Sequence, residues 1–308
     1  MLKKFSVKGY RNFKETITLD LSKKGKYDFQ KELIQNGIVN KGIIYGKNGS
    51  GKSNLGRALF DIEKNLMIHS SQNIFAVDLN PTFCCLDSKD DASFSYAFVF
   101  DQDELVYEYT KKNALAITSE KVILNGNLMF LYNGDKNKIV SNFPGTEKLS
   151  FASMNDGLSA LLFLYRTFEF DENSPISKLF RFVSRMLWFR CLNQGNEFEG
   201  KGVGEDIEQR IIKENKLTDF KNFLDDAGLH YDLVLKPQIN LSTGRPIQRI
   251  FAKFAYGSVP LNTIFSTGTH ALELFYYWNI NFQDYSFVFI DEFDAFYHYE
   301  LSASIIKN

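Results

Sequence analysis

The residues GKNGSGKS at positions 46–53 match the pattern G-x-x-x-x-G-K-[ST] at every fixed position. Glycines let the backbone curl around phosphate oxygens and point successive N–H groups toward them. Lys52 adds a positive charge for the outer phosphates, and the Ser53 hydroxyl is a ligand for Mg²⁺. The pattern therefore predicts a phosphate-binding loop for a nucleoside triphosphate. The residues expected to bind it are Gly46, Asn48, Gly49, Ser50, Gly51, Lys52, Ser53 and Asn54.

Two acidic residues follow a short apolar run near the end of the chain. Residues 287–290, FVFI, are predicted to form a fully buried strand of the parallel type, directly followed by Asp291 and Glu292. In an open α/β sheet ligands bind at the carboxyl ends of the strands. We therefore expect Asp291 to hold Mg²⁺ together with Ser53. Glu292 is expected to orient or deprotonate the attacking water, and Lys52 is the second expected catalytic residue. No N-K-x-D loop for guanine stands in a suitable place, so ATP is the expected nucleotide.

The elements around these residues follow from apolar spacing. Residues 4–21 predict a β-hairpin, residues 43–45 (IIY) a short buried strand that enters the loop, and residues 51–68 a helix. An antiparallel meander is expected over residues 92–130, and several helices between 149 and 228. Further strands are predicted at residues 231–237 and 248–257, and a helix at 265–278.

This order predicts one discontinuous α/β domain of the P-loop NTPase class with a parallel core sheet. Its parts are an N-terminal hairpin and loop lobe (1–68), an antiparallel β insert (80–145), an inserted helical subdomain (149–230), and a closing segment with the last helix and acidic strand (231–308).

A resemblance to a known group of ATPases rests on three further stretches. STGT at residues 266–269 resembles the signature motif of ABC-type ATPases, in the form that their SMC, RecF and OLD relatives carry. FSVKGYRNFKE at 5–15 is similar to the opening strand and turn of these families, and NPTFCCLD at 80–87, FLDDAGL at 223–229 and DEFDAFYH at 291–298 look like bacterial stand-alone OLD-like ATPases of phage-defence systems. The resemblance implies an ABC-type head.

Several roles follow from the resemblance alone. Ser266 and Gly268 are expected to complete the ATP site of a second copy, Arg11 and Asn12 to approach the nucleotide, and ATP with Mg²⁺ to close a head-to-tail dimer or higher oligomer. The dimer is expected to drive a protein effector, a nuclease or toxin, in anti-phage defence. The alternative is a RecF- or SMC-like clamp on DNA, which steeply salt-dependent DNA affinity would favour; a transporter subunit is a third candidate.

The sequence also departs from the family pattern. Gln72 is a poor candidate for the glutamine that usually follows the first helix in these families. The chain also stops before a further strand with a switch histidine. We therefore expect a C-terminal part of the family fold to be missing, which puts hydrolysis by this chain alone in question. His270 is interpreted as a residue of a helix turn. Asp294 and His298 are as compatible with surface positions as with a site across a dimer.

Composition and charge narrow the class of protein further. The 308 residues are 44% hydrophobic and 24% charged with a net charge of −1, which argues against non-specific coating of nucleic acid. Cys84, Cys85 and Cys191 form no CxxC pair, which favours reduced thiols. With neither a secretory signal nor a run of about 20 apolar residues, we expect a cytoplasmic protein without membrane contact.

Overall fold

The computed structural model describes residues 1–23, 25, 33–67, 82–136, 138–147, 149–151, 154, 158–192, 195–200, 207–240, 243–279 and 282–292. The chain divides into two compact units, Met1–Met186 and Leu187–Asn308. The first unit contains the strands β1 (Leu2–Lys8), β2 (Ile17–Asp20), β3 (Ile34–Gln35), β4 (Ile38–Val39), β5 (Ala92–Phe100), β6 (Asp103–Lys111), β7 (Ile117–Leu124), β8 (Asn127–Asn133) and β9 (Lys138–Ser141). Its helices are α1 (Lys52–Leu59), α2 (Asp61–Leu66), α3 (Ala160–Thr167) and α4 (Pro175–Val183).

Among the described residues, seven strands of the first unit form one sheet in the order β2-β1-β5-β6-β7-β8-β9. All of its pairings are antiparallel. Along β5 buried and half-buried residues alternate without exception, as expected for a sheet with one face in the core. The N-terminal hairpin and the meander are therefore parts of a single sheet, joined where β1 pairs with β5.

The core face of this sheet touches each of the four helices through a polar or aromatic contact. Tyr96 donates its hydroxyl to the Ala58 carbonyl of α1 at 2.9 Å, and Phe98 packs edge-on against Phe182 of α4 with ring centroids 5.2 Å apart. The buried Glu120 accepts the backbone N–H of Ala160, the first residue of α3, at 2.5 Å. Each of these contacts holds one helix at one residue of the sheet.

The contact with α2 is an ion pair inside the core. Lys111, at the end of β6, is 1% exposed, and its ammonium group lies 3.0 Å from Oδ2 of Asp61 and 3.0 Å from Oδ1 of Asn65. Tyr109 donates its hydroxyl to the same Asp61 oxygen at 3.0 Å. The Lys111 ammonium also lies 5.2 Å from the centre of the Phe83 ring. The buried charges are thus paired and hydrogen-bonded, as burial in a low-dielectric interior requires.

The second unit begins one residue inside the strand β10 (Met186–Leu192). Its other strands are β11 (Gly195–Gly200), β12 (Asp232–Ile239), β13 (Pro246–Phe254), β14 (Gly257–Pro260) and β15 (Phe287–Asp291), and its helices are α5 (Ile207–Lys213), α6 (Leu217–Asp226) and α7 (Thr267–Asn279). Its described strands form two sheets, β11-β10-β15 and β12-β13-β14. Tyr276 of α7 packs into the core formed with β12 and β13, whereas Leu274, Phe275 and Tyr277 pack with Val288 of β15. Helix α7 therefore contributes to both cores of this unit.

The prediction of a parallel core sheet is wrong. The largest sheet of the described chain is the antiparallel one, and the predicted strand at residues 43–45 has no strand conformation. Ile43, Ile44 and Tyr45 are exposed, Tyr45 to 87%. An apolar run of three residues satisfies the spacing of a buried strand, but it becomes one only where a neighbouring strand pairs with it.

Other predicted elements are confirmed or corrected in detail. The N-terminal hairpin, the meander, the paired strands β12 and β13, the strand β15 and the helix α7 are confirmed. The predicted helical subdomain also contains β10 and β11, because helix α4 ends at Val183 and the apolar run that follows continues as a strand. Residues 287–290 are half-buried rather than fully buried.

The buried ion pair makes a stability prediction with a matched control one residue away. Lys111→Met leaves the Asp61 carboxylate without its cation, and we expect a loss of about 3–5 kcal/mol in the free energy of unfolding. Lys112→Met removes only an exposed pair with Asp135, 3.9 Å apart, and we expect a loss below about 1 kcal/mol. Urea unfolding of both variants measures the difference. Equal losses would contradict the assigned role of Lys111.

The buried carboxylate of Glu120 makes a prediction about pH. Burial raises the pKa of Glu120 above its ordinary value of 4.5, against the hydrogen bonds from Tyr107, Ser159 and the start of α3. The folded state therefore keeps this proton at a higher pH than the unfolded state, and the resulting stabilisation is lost as the pH rises through the folded pKa. We expect the stability of the wild type relative to Glu120→Gln to fall as the pH is raised from about 4.5.

A second substitution serves as the control for this pH series. Hydrogen bonds from the backbone N–H groups of Glu147 itself and of Gly145 lower the pKa of the exposed Glu147. The stability of the wild type relative to Glu147→Gln should therefore change with pH in the opposite direction. Chemical unfolding at a series of pH values measures both slopes, and slopes of the same sign would contradict the assignment.

Candidate nucleotide-binding site

The loop at residues 46–51 is exposed except at the half-buried Gly51, and it turns sharply before helix α1. Gly49 and Gly51 have φ angles of 78° and 100°, in the left-handed region that favours glycine. The N–H of Ser50 donates to the Lys47 carbonyl at 3.1 Å, which closes a turn over residues 47–50. Gly49 and Gly51 therefore have backbone conformations that other residue types would adopt only with strain.

Lys52 is the first residue of α1, and its side chain folds back over the loop. Its ammonium group donates to the carbonyls of Gly46 at 2.9 Å and Lys47 at 3.2 Å. The hydroxyl of Ser53 makes no hydrogen bond with the part of the chain that the structure describes. A cation and an available hydroxyl thus stand at a helix N-terminus, the arrangement that suits an anion and a metal ion bound to it.

The turn between β1 and β2 lies against this loop. Asn54 donates its side-chain N–H to Oδ1 of Asn12 at 2.7 Å. A Cβ atom at Gly51 would lie only 2.6 Å from Nδ2 of Asn12 and 2.9 Å from Cε1 of Phe13. The structure therefore brings Asn12 to the loop.

Arg11 is placed differently from Asn12. Its Nε donates to the Tyr10 hydroxyl at 3.1 Å, and its guanidinium lies 5.6 Å from the centre of the Tyr10 ring. Its backbone has a φ of 51°, which is uncommon for a residue other than glycine, asparagine or aspartate. In the structure the guanidinium contacts Tyr10, and the predicted approach of Arg11 to a nucleotide stays a prediction.

The acidic pair lies at the end of β15 in the second unit. Asp291 is 5% exposed, and its Oδ2 atom has no hydrogen-bond partner within the described residues. A buried carboxylate oxygen without a partner is costly, and a bound cation would remove that cost. Glu292 is exposed and has a φ of 52°. Of the described non-glycine residues with positive φ, only Arg11 and Glu292 are neither asparagine nor aspartate, and backbone strain of this kind concentrates at functional sites.

The STGT stretch begins helix α7. The Ser266 hydroxyl accepts the backbone N–H of Thr269 at 3.2 Å, so Ser266 caps the helix. Gly268 is half-exposed in the first turn. His270 lies on the same turn with its Nδ1 atom 3.5 Å from Oε2 of Glu273, which agrees with its interpretation as a residue of a helix turn. Ser266 is therefore the N-cap of α7, and the binding of a second copy's phosphate stays a prediction.

The candidate residues thus fall into two groups. The loop residues with Arg11 and Asn12 belong to the first unit, and Ser266, Gly268, Asp291 and Glu292 belong to the second. Gln72, Asp294 and His298 lie outside the described residues, as do residues 80 and 81 and residues 293–298 of the quoted similar stretches.

Lys111 differs from its neighbour Lys112 in its surroundings. Adjacent basic residues are usually solvated or salt-bridged at the surface, whereas Lys111 is buried. The signal was present in β6, where Leu105, Tyr107, Tyr109 and Lys111 alternate onto one face. Two-residue periodicity therefore places the lysine in the core.

The two left-handed glycines of the loop differ in their surroundings and so make a paired prediction. Alanine at either position meets backbone strain of about 1–2 kcal/mol. Gly49→Ala meets no atom within 4 Å, whereas Gly51→Ala collides with Asn12 and Phe13. We expect Gly51→Ala to lower the free energy of unfolding by about 1–3 kcal/mol more than Gly49→Ala, measured in urea. A smaller effect for Gly51→Ala would show that the turn does not pack on the loop.

None of the described helices is long and apolar enough to cross a membrane. No group of three or more His, Cys, Asp or Glu side chains within the described ranges is arranged to hold a metal ion. Comparison with protein-family models and with curated protein sequences finds no match for this chain.

Proposed function

We propose that the protein binds ATP with Mg²⁺ at residues 46–54 and hydrolyses it to ADP and phosphate. The observation that carries this proposal is the shape of the loop. Left-handed glycines at 49 and 51 curve the backbone, and the Lys52 ammonium is held over it by two loop carbonyls. Phosphate oxygens would take the place of those carbonyls and gain a charge-assisted contact with Lys52.

The residues present fit a magnesium ion. Mg²⁺ prefers oxygen ligands and keeps several water molecules, so one carboxylate and one hydroxyl with substrate phosphates suffice. Ser53 offers a hydroxyl and Asp291 a buried carboxylate oxygen, neither of which has a hydrogen-bond partner in the described chain. When bound, the ion would neutralise charge on the phosphates. From the sequence pattern, Ser53 and Asp291 stay the proposed ligands of the ion.

Glu292 is assigned as the general base that orients and deprotonates the attacking water. It follows Asp291 directly and is exposed, so that its carboxylate is accessible to solvent. The carboxylate would orient the water and accept its proton as the oxygen attacks the terminal phosphorus. The bond between that phosphorus and the bridging oxygen of ADP then breaks.

Ser266 and Gly268 are assigned to the ATP site of a second copy. Their helix turn presents a hydroxyl, a residue without a side chain and the N-terminal N–H groups of α7. ATP would then hold two copies together head to tail, and its hydrolysis would release them. By the resemblance of its motifs, the closed form is proposed to drive an effector such as a nuclease or toxin in anti-phage defence.

Binding, hydrolysis and assembly are measured separately to test the proposal. Lys52→Ala should weaken ATP·Mg²⁺ binding by about 10- to 100-fold in calorimetry, since it removes a charged contact. Glu292→Gln should bind ATP normally and hydrolyse it about 100-fold more slowly. The exposed Lys136→Ala is the control and should match the wild type.

Sedimentation with and without ATP tests the assembly. Glu292→Gln should form a nucleotide-dependent dimer or larger oligomer that Ser266→Ala weakens. Failure of the wild type to bind ATP, or equal binding by Lys52→Ala, would overturn the nucleotide proposal. Absence of any ATP-dependent oligomer would overturn the composite site alone.

A further inference from the structure

We infer that Asn12 is a positioning residue of the phosphate loop, which acts through Gly51 and Asn54. This inference rests on the proposed function and changes the role expected for Asn12 from a direct nucleotide contact to support of the loop. It also identifies the turn between β1 and β2 as the part of the antiparallel sheet that sets the shape of the binding loop.

The turn at residues 9–13 is held by its own backbone and by a neighbouring segment. Gly9 donates its N–H to the Phe13 carbonyl at 2.7 Å, and Phe13 donates to the Tyr10 carbonyl at 2.8 Å. The N–H of Arg11 donates to the Phe83 carbonyl at 3.0 Å. Tyr10 and Phe13 are buried. A turn with its backbone bonded and its aromatic residues in the core has a fixed position.

From this fixed turn the Asn12 side chain reaches the loop at two places. Its Oδ1 atom accepts the side-chain N–H of Asn54, the third residue of α1, at 2.7 Å. Its Nδ2 atom fills the space where a side chain at residue 51 would begin, 2.6 Å from the ideal Cβ position. Asn12 thus spans the left-handed glycine and the first turn of the helix.

Gly51 and the first turn of α1 are the parts of the loop region that are proposed to bind the phosphates. The N–H groups of the first helical turn have no partner within the helix and are the donors for an anion. Gly51 comes directly before this turn, and its left-handed φ of 100° sets the direction in which the loop backbone enters helix α1. By holding both, Asn12 reduces the number of loop shapes and so the entropy lost on binding. Because Asn12 is exposed, its hydrogen bond adds little to global stability.

A double-mutant cycle with Asn12→Ala and Asn54→Ala tests this inference. Each single variant should raise the Kd for ATP·Mg²⁺ by about three- to tenfold, the effect of one lost hydrogen bond. The double variant should bind no more weakly than the weaker single variant, because both changes remove the same contact. In steady-state hydrolysis, KM for ATP should rise while kcat stays within about twofold, since Lys52 and Glu292 are unchanged.

Asn127→Ala, an exposed asparagine on the same sheet, is the matched control and should leave Kd and KM unchanged. The thermal midpoint of Asn12→Ala should equal that of Asn127→Ala, which separates positioning from a structural defect. Wild-type affinity in Asn12→Ala would overturn the inference, and so would losses that multiply in the double variant or a lowered kcat at constant KM. If Lys52→Ala loses binding while Asn12→Ala does not, only the inference fails. If the wild type does not bind ATP, the proposed function fails with it.

Discussion

The ion pair between Lys111 and Asp61 is the contact on which the first unit depends. It joins the last residue of β6 to the first residue of α2, and Tyr109 and Asn65 complete its hydrogen bonds. A buried charge has a low free energy only with its partner in place, so the pair determines how α2 lies on the sheet. Because α1 meets α2 at Phe60, that constraint also limits where the phosphate loop at the start of α1 is held.

Helix α1, which follows the loop directly, is held at both of its ends. Tyr96 anchors Ala58 near the end of α1, and Asn12 contacts Asn54 at its beginning. Both residues belong to the antiparallel sheet or to its first turn, so the sheet supports a site to which it contributes no predicted catalytic residue. In the second unit, α7 and β15 share a core in the same way, and this places the capped STGT turn and the Asp291 carboxylate at the ends of packed elements. The proposed chemistry therefore needs these supports as much as its reacting groups.

Local patterns predicted much of this arrangement, and long-range pairing explains what they missed. The glycines at 49 and 51 have the left-handed backbone that their pattern requires, and Ser266 caps α7 as its position indicates. By contrast, the strand expected at residues 43–45 is absent, and β10 stands where a helix was expected. A short apolar run fits either state, and the choice depends on a partner strand that the local sequence does not contain. The Asn12–Asn54 contact, between residues far apart in sequence, was undetectable for the same reason.

If the protein binds ATP at residues 46–54, the backbone amides of this loop contact the phosphates. Two-dimensional ¹H–¹⁵N NMR of the protein titrated with ATP·Mg²⁺ observes those amides directly. We expect the largest shift changes at Gly49, Gly51, Lys52 and Ser53, with the Gly51 amide proton moving downfield and the Asn12 side-chain amide responding with it. If ATP leaves these resonances unchanged, or shifts only amides elsewhere in the chain, the loop does not bind its phosphates.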